Sequence, residues 1–331
     1  MKKLLILSIT ALALGANAHA QEGRVVRETH TYTTSDNYAL QLDKYDIPAD
    51  GAQGQESAQK QERAAKPCVI FMFGGGFTHG TRDNAQYVPF FEFLAQNGYV
   101  VVSIDYRLGM RELAEKENLE TVDYVLALFR SVDMAARDLL DATACVIRNS
   151  EEWGVDPSMI VTCGSSAGAI SVLQAEYMIC SNSAVARRVL PVDFNYAGAI
   201  SFAGAMLSVT TEMNLQCPPC PVMLFHGDAD SNVPYGKLEE MGGAFFGSQY
   251  IAEMLKMVGF PYWFHSVGNA GHEVSVTPMT RNRAEILSFL DRLVKGGEKL
   301  TIDTREEEIG RPVVNKEFSI TDYMRSNLGG L

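Results

Sequence analysis

Positive charge is scarce in this sequence. Its 331 residues include 28 Lys and Arg against 40 Asp and Glu, which gives a formal net charge of −12, and the basic residues form no runs. Nucleic acids and anionic membranes attract clustered Lys and Arg. The charge pattern therefore argues against both, and we expect no nucleic-acid partner.

Long apolar runs are also lacking, because no stretch after residue 20 could span a bilayer. At the start, Lys2 and Lys3 precede a short apolar run at residues 4–14, and Ala18-His19-Ala20 follows. This order is typical of an export signal with a small-residue cleavage site, although cleavage after Ala18 fits as well. We expect residues 1–20 to be removed and the protein to be periplasmic or secreted.

Zinc-type cysteine spacing is missing too. Of the six cysteines, Cys217-Pro218-Pro219-Cys220 forms the one closely spaced pair, and no second pair completes a zinc site. Disulfides are permitted in an exported protein, so we expect this pair to have a structural role, such as a disulfide to Cys180 or Cys145. Cys68 and Cys163 lie in apolar runs and are expected to be buried thiols. No metal site is indicated.

Apolar runs of strand length alternate with stretches of helical spacing. The strands are predicted at residues 25–33, 38–45, 68–73, 99–104, 159–163, 196–203, 222–225 and 262–267, and the helices at 90–96, 121–147, 169–178, 247–258 and 282–294. This alternation predicts an α/β fold whose central sheet is mostly parallel and flanked by helices, with a short antiparallel start. We expect one domain over residues 21–331, with an exposed loop at 49–66 and a C-terminal tail at 296–331 packed on the body.

The most informative motif is Gly164-Ser165-Ser166-Ala167-Gly168, between a predicted strand and a predicted helix. Glycine two residues before and after Ser166 removes the β-carbons that would collide in a sharp turn. Centring the motif on Ser165 would require glycine at Cys163 and Ala167. The pattern is that of the nucleophile elbow G-x-S-x-G, so Ser166 is the candidate nucleophile. A plain helix cap is the alternative interpretation.

A serine hydroxyl is a weak nucleophile that needs a base, and the base needs a carboxylate to orient it. Asp230 lies in the segment 226–234, which leaves a strand at the sheet edge where ligands bind in open α/β sheets. It is the candidate acid, whereas Asp228 is more typical of a turn carboxylate. His272, in the glycine-containing loop 268–273, is the candidate base. The histidines that fit this role less well are His30, His79, His226 and His265.

Three consecutive glycines follow the third strand in Phe73-Gly74-Gly75-Gly76-Phe77. Without side chains, their backbone N–H groups can approach a developing oxyanion, and the N–H of Ala167 would supply the other donor. A phosphate-binding loop is the rival interpretation, but the Walker lysine and serine are absent.

Together these four segments resemble α/β-hydrolase carboxylesterases, especially secreted bacterial esterases of the feruloyl and acetyl-xylan esterase type. The segment 226–234 is similar to the pattern H-G-x-x-D-x-x-V-P, and its aspartate aligns with Asp230. The segment 103–109 looks like the Y-R-L signature of the hormone-sensitive-lipase and type-B carboxylesterase groups. The resemblance extends from about Cys68 to Leu293.

The resemblance implies specific roles. The triad would consist of Ser166, Asp230 and His272, and the oxyanion hole of Gly75, Gly76 and Ala167. The family's usual histidine before the glycines is replaced by Phe73, which leaves the detailed shape of the hole open.

The implied activity is two-step hydrolysis of an acyl ester, with no metal or organic cofactor. The substrate would be a small-molecule or polysaccharide-linked ester, and export makes feruloyl or acetyl groups on plant polysaccharides the expected targets. Three alternatives remain. A serine peptidase of the prolyl-oligopeptidase type would carry an upstream propeller, for which we expect residues 21–67 to be too short. A lipase would favour an apolar lid, and a non-catalytic binding protein would not need an intact triad. The sequence leaves the oligomeric state open.

Overall fold

The computed structural model describes residues 23–35, 38–48, 64–113, 120–240 and 242–328. The predicted export signal at residues 1–20 and most of the predicted loop at 49–66 lie outside these ranges. Among the helices within them, none is both long enough and apolar enough to cross a membrane.

Strands and helices alternate along most of the described chain. The strands are β1 (Val26–Ser35), β2 (Tyr38–Asp46), β3 (Lys66–Met72), β4 (Val100–Ile104), β5 (Val155–Ser165), β6 (Gly198–Phe202), β7 (Ala205–Ser208), β8 (Val222–Gly227), β9 (Lys237–Glu240), β10 (Gly243–Gly247), β11 (Tyr262–Val267) and β12 (Thr301–Glu306). The helices are α1 (Val88–Gln96), α2 (Thr121–Arg148), α3 (Ser150–Trp153), α4 (Ala167–Cys180), α5 (Ala184–Val189), α6 (Ser248–Val258), α7 (Pro278–Arg281), α8 (Arg283–Phe289) and α9 (Ile320–Leu328). Short 3₁₀ and π turns cover His272–Ser275 and Leu290–Lys295.

Nine strands form one central sheet in the order β1-β2-β4-β3-β5-β6-β8-β11-β12. The first two strands are antiparallel to their neighbours, and all pairs from β4 onward are parallel. Strands β7, β10 and β9 form a separate antiparallel sheet. The predicted mostly parallel sheet with an antiparallel start is confirmed.

The central strands are buried because helices cover the sheet. In β3 the run Cys68–Met72 is fully buried, and every residue of β4 is buried as well. Each of the larger helices contacts at least one strand of the sheet: α1 contacts β4, α2 contacts β5, α4 contacts β6 and α6 contacts β11. Since α4 is apolar almost all round and eleven of its residues are buried, it lies deep in the core behind the serine motif.

The C-terminal region differs from its prediction. Rather than only a tail packed on the body, residues 301–306 form β12, which pairs in parallel with β11 and becomes the ninth strand of the sheet. Its sequence, TIDTRE, lacks a continuous apolar run because an edge strand is exposed on much of its surface. The helix predicted at residues 282–294 also differs from the observed structure. The short helix α7 precedes it, α8 covers only its first half, and a π turn covers its last residues.

The expectation of a disulfide for the 217–220 pair is wrong, since all six cysteines are free. A buried carboxyl group, that of Glu176, bonds two of the cysteine residues instead. Glu176 Oε1 accepts hydrogen bonds from the Cys180 thiol (3.3 Å) and from the backbone N–H of Cys220 (2.7 Å). Burial raises the pKa of Glu176 above its ordinary value. Within the described ranges, no group of three or more His, Cys, Asp and Glu side chains is arranged to hold a metal ion.

An ion pair joins the segment after β4 to the middle of α2. The Asp138 carboxylate is fully buried and accepts hydrogen bonds from the Arg107 backbone N–H (2.8 Å), Nε (3.0 Å) and Nη2 (2.6 Å). Next to Arg107, the Tyr106 hydroxyl donates to the Phe73 carbonyl (2.7 Å), and the two rings stack 4.4 Å apart. The pair therefore supports the segment on which the glycine loop rests.

We expect Asp138→Ala to lower the free energy of unfolding by about 3–5 kcal/mol, because it removes one partner of a buried ion pair and with it the bonds that Asp138 accepts from Arg107. Urea unfolding followed by circular dichroism measures the change. The matched control on the same helix is Asp133→Ala, whose exposed pair with Arg137 should contribute only about 0.3–0.5 kcal/mol. Equal losses in the two variants would contradict the structural importance of the buried pair.

Candidate active site

Ser166 lies at the apex of a sharp turn between β5 and α4. Its φ of 52° is unusual for a residue with a side chain. A β-carbon at Gly164 would lie 2.4 Å from the Gly168 backbone, and one at Gly168 would lie 2.2 Å from the Met72 carbonyl oxygen. The two glycines are therefore required by the close approach of β5, α4 and the end of β3.

Asp230 and His272 follow β8 and β11, which are adjacent parallel strands. Nε2 of His272 lies 2.8 Å from Ser166 Oγ, and its Nδ1 lies 2.8 Å from Asp230 Oδ2. The structure thus brings together three side chains that the sequence places 42 and 106 positions apart. The imidazole can accept a proton from the serine while the carboxylate orients it.

The Asp230 carboxylate is held in place from both sides. Oδ1 accepts the backbone N–H groups of Asn232 (2.7 Å) and Val233 (3.0 Å), while Oδ2 also lies 3.3 Å from His226 Nε2. Burial alone would raise the pKa of Asp230, but the hydrogen bonds from His226 and His272 hold it well below its ordinary value. Asp230 therefore stays ionised even though its side chain is buried.

His226, one of the histidines that fit the role of base less well, contacts Asp230 directly. Its other ring nitrogen, Nδ1, lies 2.8 Å from Ser248 Oγ at the start of α6. Because His226 Nε2 faces two acceptors, Asp230 Oδ2 and the Val233 carbonyl oxygen at 3.3 Å, it must carry a proton. His226 is the first residue of the H-G-x-x-D pattern, and this position could have indicated its contact with Asp230.

The glycine loop lies beside the serine. Gly75 and Gly76 have φ values of +136° and +59°, and a β-carbon at Gly75 would lie 2.0 Å from the His79 carbonyl oxygen. Among the described residues, the backbone N–H groups of Gly75, Gly76 and Ala167 have no internal acceptor. The Ala167 N–H lies in the first turn of α4, where such groups are free to bind an anion.

The N–H of Gly74 is used differently, in a network that the sequence did not predict. It donates to the Tyr87 hydroxyl (3.2 Å), which lies 3.5 Å from Ser165 Oγ. Ser165 Oγ in turn donates to the Ser275 carbonyl (2.8 Å), in the 3₁₀ turn that begins at His272. The buried Ser165 therefore ties the serine turn to the segment that bears the base. The position of Ser165 within the G-x-S-x-G motif could have indicated this contact, whereas nothing in the sequence singled out Tyr87.

The remaining histidines make other contacts. The ring of His265 stacks on Phe225 at 5.1 Å and bonds Glu306 (3.1 Å), as expected of a packed residue in a strand. His30 packs against Trp153 at 4.9 Å. His79 follows the glycine loop, and its Nδ1 contacts the Thr78 hydroxyl (2.8 Å).

Comparison with known proteins gives partial matches in sequence. Residues 57–178 match the family model described as BD-FAE, a stretch that includes the glycine loop and the serine turn but ends before Asp230 and His272. Fumonisin B1 esterase of Sphingopyxis macrogoltabida is 32% identical over 117 residues, which are 34% of this chain and 20% of that protein. Lipase 2 of Moraxella sp. (strain TA144) is 32% identical over 132 residues, 38% of this chain and 25% of that protein. The chain therefore spans a quarter or less of the length of these curated relatives.

Solved structures match over a larger share of the chain. The apo form of Thermogutta terrifontis esterase 2 superposes with a TM-score of 0.53 and 23% identity, covering 82% of this chain and 95% of that one. The propionate-bound form of the same esterase gives 0.54 and 22%, covering 82% and 94%. At this level of identity the likeness establishes the architecture. The predicted fold is confirmed: the chain has the α/β-hydrolase fold.

Proposed function

We propose that the protein hydrolyses carboxylic esters, with Ser166 as nucleophile, His272 as general base and Asp230 as the carboxylate that orients the base. One observation carries the proposal: the imidazole of His272 lies 2.8 Å from both the serine hydroxyl and the aspartate. These are hydrogen-bond distances suited to proton transfer in the resting protein.

The reaction takes two steps. Ser166 Oγ attacks the acyl carbon while His272 Nε2 takes its proton, and the tetrahedral intermediate then collapses to an acyl-serine as the alcohol leaves with that proton. Water then attacks the acyl carbon in the same way. His272 takes a proton from the water, the acyl–Oγ bond breaks to release the acid, and the proton returns to Ser166. Asp230, ionised and bonded to Nδ1, stabilises the imidazolium formed in each step.

The oxyanion that develops in both steps would be held by the backbone N–H groups of Gly75, Gly76 and Ala167. Support comes from their lack of internal acceptors among the described residues and from the backbone of Gly75, which leaves no room for a side chain. Phe73 occupies the place of the family's usual histidine. Its ring packs on Tyr106 and its carbonyl accepts the Tyr106 hydroxyl, so the loop is anchored without an imidazole.

Named relatives support the same reaction class. The matching proteins include two esterases and a lipase: Fumonisin B1 esterase, Esterase B1 of Culex pipiens and Lipase 2. An ester is the substrate common to all three names.

We further propose that the protein is exported and removes feruloyl or acetyl groups from plant polysaccharides. The support is the export-signal pattern of residues 1–20 and the resemblance to feruloyl and acetyl-xylan esterases. Methyl ferulate, acetylated xylan and short p-nitrophenyl esters test the substrate class directly. Turnover confined to the p-nitrophenyl esters would contradict the proposed polysaccharide substrate. Triolein tests the lipase alternative, and a proline-containing peptide tests the peptidase alternative.

We expect Ser166→Ala to lower kcat on the best ester of this panel by roughly 10⁴-fold or more, because triad members act as a unit. A fluorophosphonate probe should label the wild type and not the variant. Ser171→Ala is the matched control, since this buried serine one turn along α4 bonds only the Ala167 carbonyl and should keep kcat within about twofold. Undiminished turnover by Ser166→Ala would contradict the mechanism.

We expect Gly75→Ala to lower kcat by about 10²–10³-fold, because the added β-carbon must displace the loop that presents the oxyanion donors. Steady-state kinetics should show a smaller change in KM. Gly98→Ala serves as control, since Gly98 also has a positive φ (87°) but a β-carbon added there would meet no atom within 4 Å. If the two variants lose kcat equally, the oxyanion role of the loop is wrong.

The lowered pKa of Asp230 predicts a stability change in acid. The folded protein keeps this group ionised below about pH 4, where an unfolded aspartate gains a proton, so its stabilisation is present above that pH and is lost as pH falls towards the folded-state pKa. Asp230→Asn should therefore lose stability less steeply than the wild type between about pH 4 and pH 2. Urea unfolding at several pH values measures both slopes, and Asp133→Asn, at an exposed site, should follow the wild type. Identical slopes for Asp230→Asn and wild type would count against an ionised Asp230.

A further inference from the structure

The C-terminal segment, residues 305–328, contacts the loop that carries the acid, residues 228–234. Two cationic side chains bind one buried carboxylate. Lys316 Nζ lies 2.8 Å and Arg305 Nη2 3.2 Å from Asp228 Oδ2. Further along, Ser326 Oγ donates to the Ser231 carbonyl (3.0 Å). Ser231 is the immediate neighbour of the proposed acid, Asp230.

The same segment also contacts the loop that carries the base, residues 268–275. The Gly268 N–H donates to the Glu306 carbonyl (2.7 Å), which extends the pairing of β11 with β12. Arg311 then forms an ion pair with Glu273, the residue next to His272. One stretch of chain therefore holds both loops from the outside.

Asp228 joins the two loops to each other. Its Oδ1 accepts the backbone N–H of Asn269 (2.7 Å) while Oδ2 binds the C-terminal cations. Only 6% of the Asp228 side chain is exposed, so the carboxylate depends on these partners to offset the loss of hydration. Burial by itself would raise its pKa, but the bonds from Lys316 and the Asn269 N–H hold the pKa below its ordinary value.

Charged side chains make the contacts with the two loops, whereas Phe318, Ile320 and Met324 of the same segment pack against the hydrophobic core. Residues 307–319 are all exposed or half-buried. A cavity of about 490 Å³ lies between the C-terminal segment and the acid loop, with Asp228, Tyr235, Arg305 and Phe318 in its wall. The segment is thus attached to the two loops by the ion pairs at Asp228 and Glu273 and by the hydrogen bonds at Ser231 and Gly268.

We propose that residues 305–328 act as an electrostatic clamp that positions Asp230 and His272, with Arg311 and Lys316 as positioning residues. The proposal rests on the proposed function, because it concerns the alignment of the same two side chains. Both reach Ser166 from loop positions rather than from within a strand. A clamp that joins the loops across Asp228 and Glu273 limits their independent movement, and a misplacement of about 1 Å can cost about 10²-fold in rate.

Arg311→Gln and Lys316→Gln test the clamp by kinetics on the best ester substrate. Each should lower kcat about fivefold to tenfold, and the double variant up to about 100-fold, with KM within about twofold, as expected of side chains that act through the two loops. Lys256→Gln is the matched control, since it removes an ion pair with Asp303 on β12 that touches neither loop, and its kcat should remain unchanged.

A charge exchange separates positioning from a general structural role. Glu273→Arg alone should lower kcat as Arg311→Gln does, and Glu273→Arg combined with Arg311→Glu should recover most of it by rebuilding the pair in the opposite sense. A combined variant no more active than the single ones, or wild-type kcat in the Arg311→Gln/Lys316→Gln double variant, would overturn the clamp.

Hydrogen exchange keeps this test separate from the esterase proposal. In a Ser166→Ala background, the Arg311→Gln/Lys316→Gln pair should accelerate amide exchange in residues 228–234 and 268–275 and leave β5 unchanged. If the wild type hydrolyses no ester, the proposed function fails, and exchange still decides whether the loops are clamped. Unchanged exchange in both loops overturns the clamp even where the wild type is active.

Discussion

The imidazole of His272 must satisfy two partners at once, and the rest of the site is arranged around that requirement. One ring nitrogen faces the Ser166 hydroxyl and the other faces the Asp230 carboxylate, each at 2.8 Å. These three residues come from three different turns, so the distances hold only if β5, β8 and β11 end at the same edge of one sheet. Parallel pairing of β5 with β6, β6 with β8 and β8 with β11 provides that common edge.

Two costs accompany this arrangement. Ser166 adopts a backbone conformation that residues with side chains seldom use, and Asp230 carries a negative charge in a buried position. Close packing offsets the first, since α4 is buried along most of its length and begins directly after the serine. Hydrogen bonds offset the second, because two backbone N–H groups and two imidazoles surround the Asp230 carboxylate. Within the triad, the backbone strain thus falls on the nucleophile and the buried charge on the acid.

Local patterns predicted the elements that depend on neighbouring residues. The strand, glycine-flanked serine and helix around Ser166 follow from backbone sterics, and continuous apolar runs marked β3 and β4. The prediction failed where residues depend on distant partners. Strand β12 is polar and becomes a strand only because β11 offers it an edge. In the region where a disulfide was expected, Glu176 instead binds the backbone N–H of Cys220, 44 positions further along the chain. The bond from Ser165 to Ser275 likewise joins residues 110 positions apart.

By itself, the sequence determined the alternation of strands and helices that produces an α/β-hydrolase fold, and the serine turn at its centre. Both depend on residues that are close together in the chain, through backbone sterics and the periodicity of apolar side chains. Motif resemblance also singled out Asp230 and His272 as candidates. Only the tertiary structure decided that they meet Ser166, that His226 supports the acid, and that the C-terminal segment binds the loops of both. Those contacts depend on the order of strands in the sheet, which sets the distance between residues that the chain separates widely.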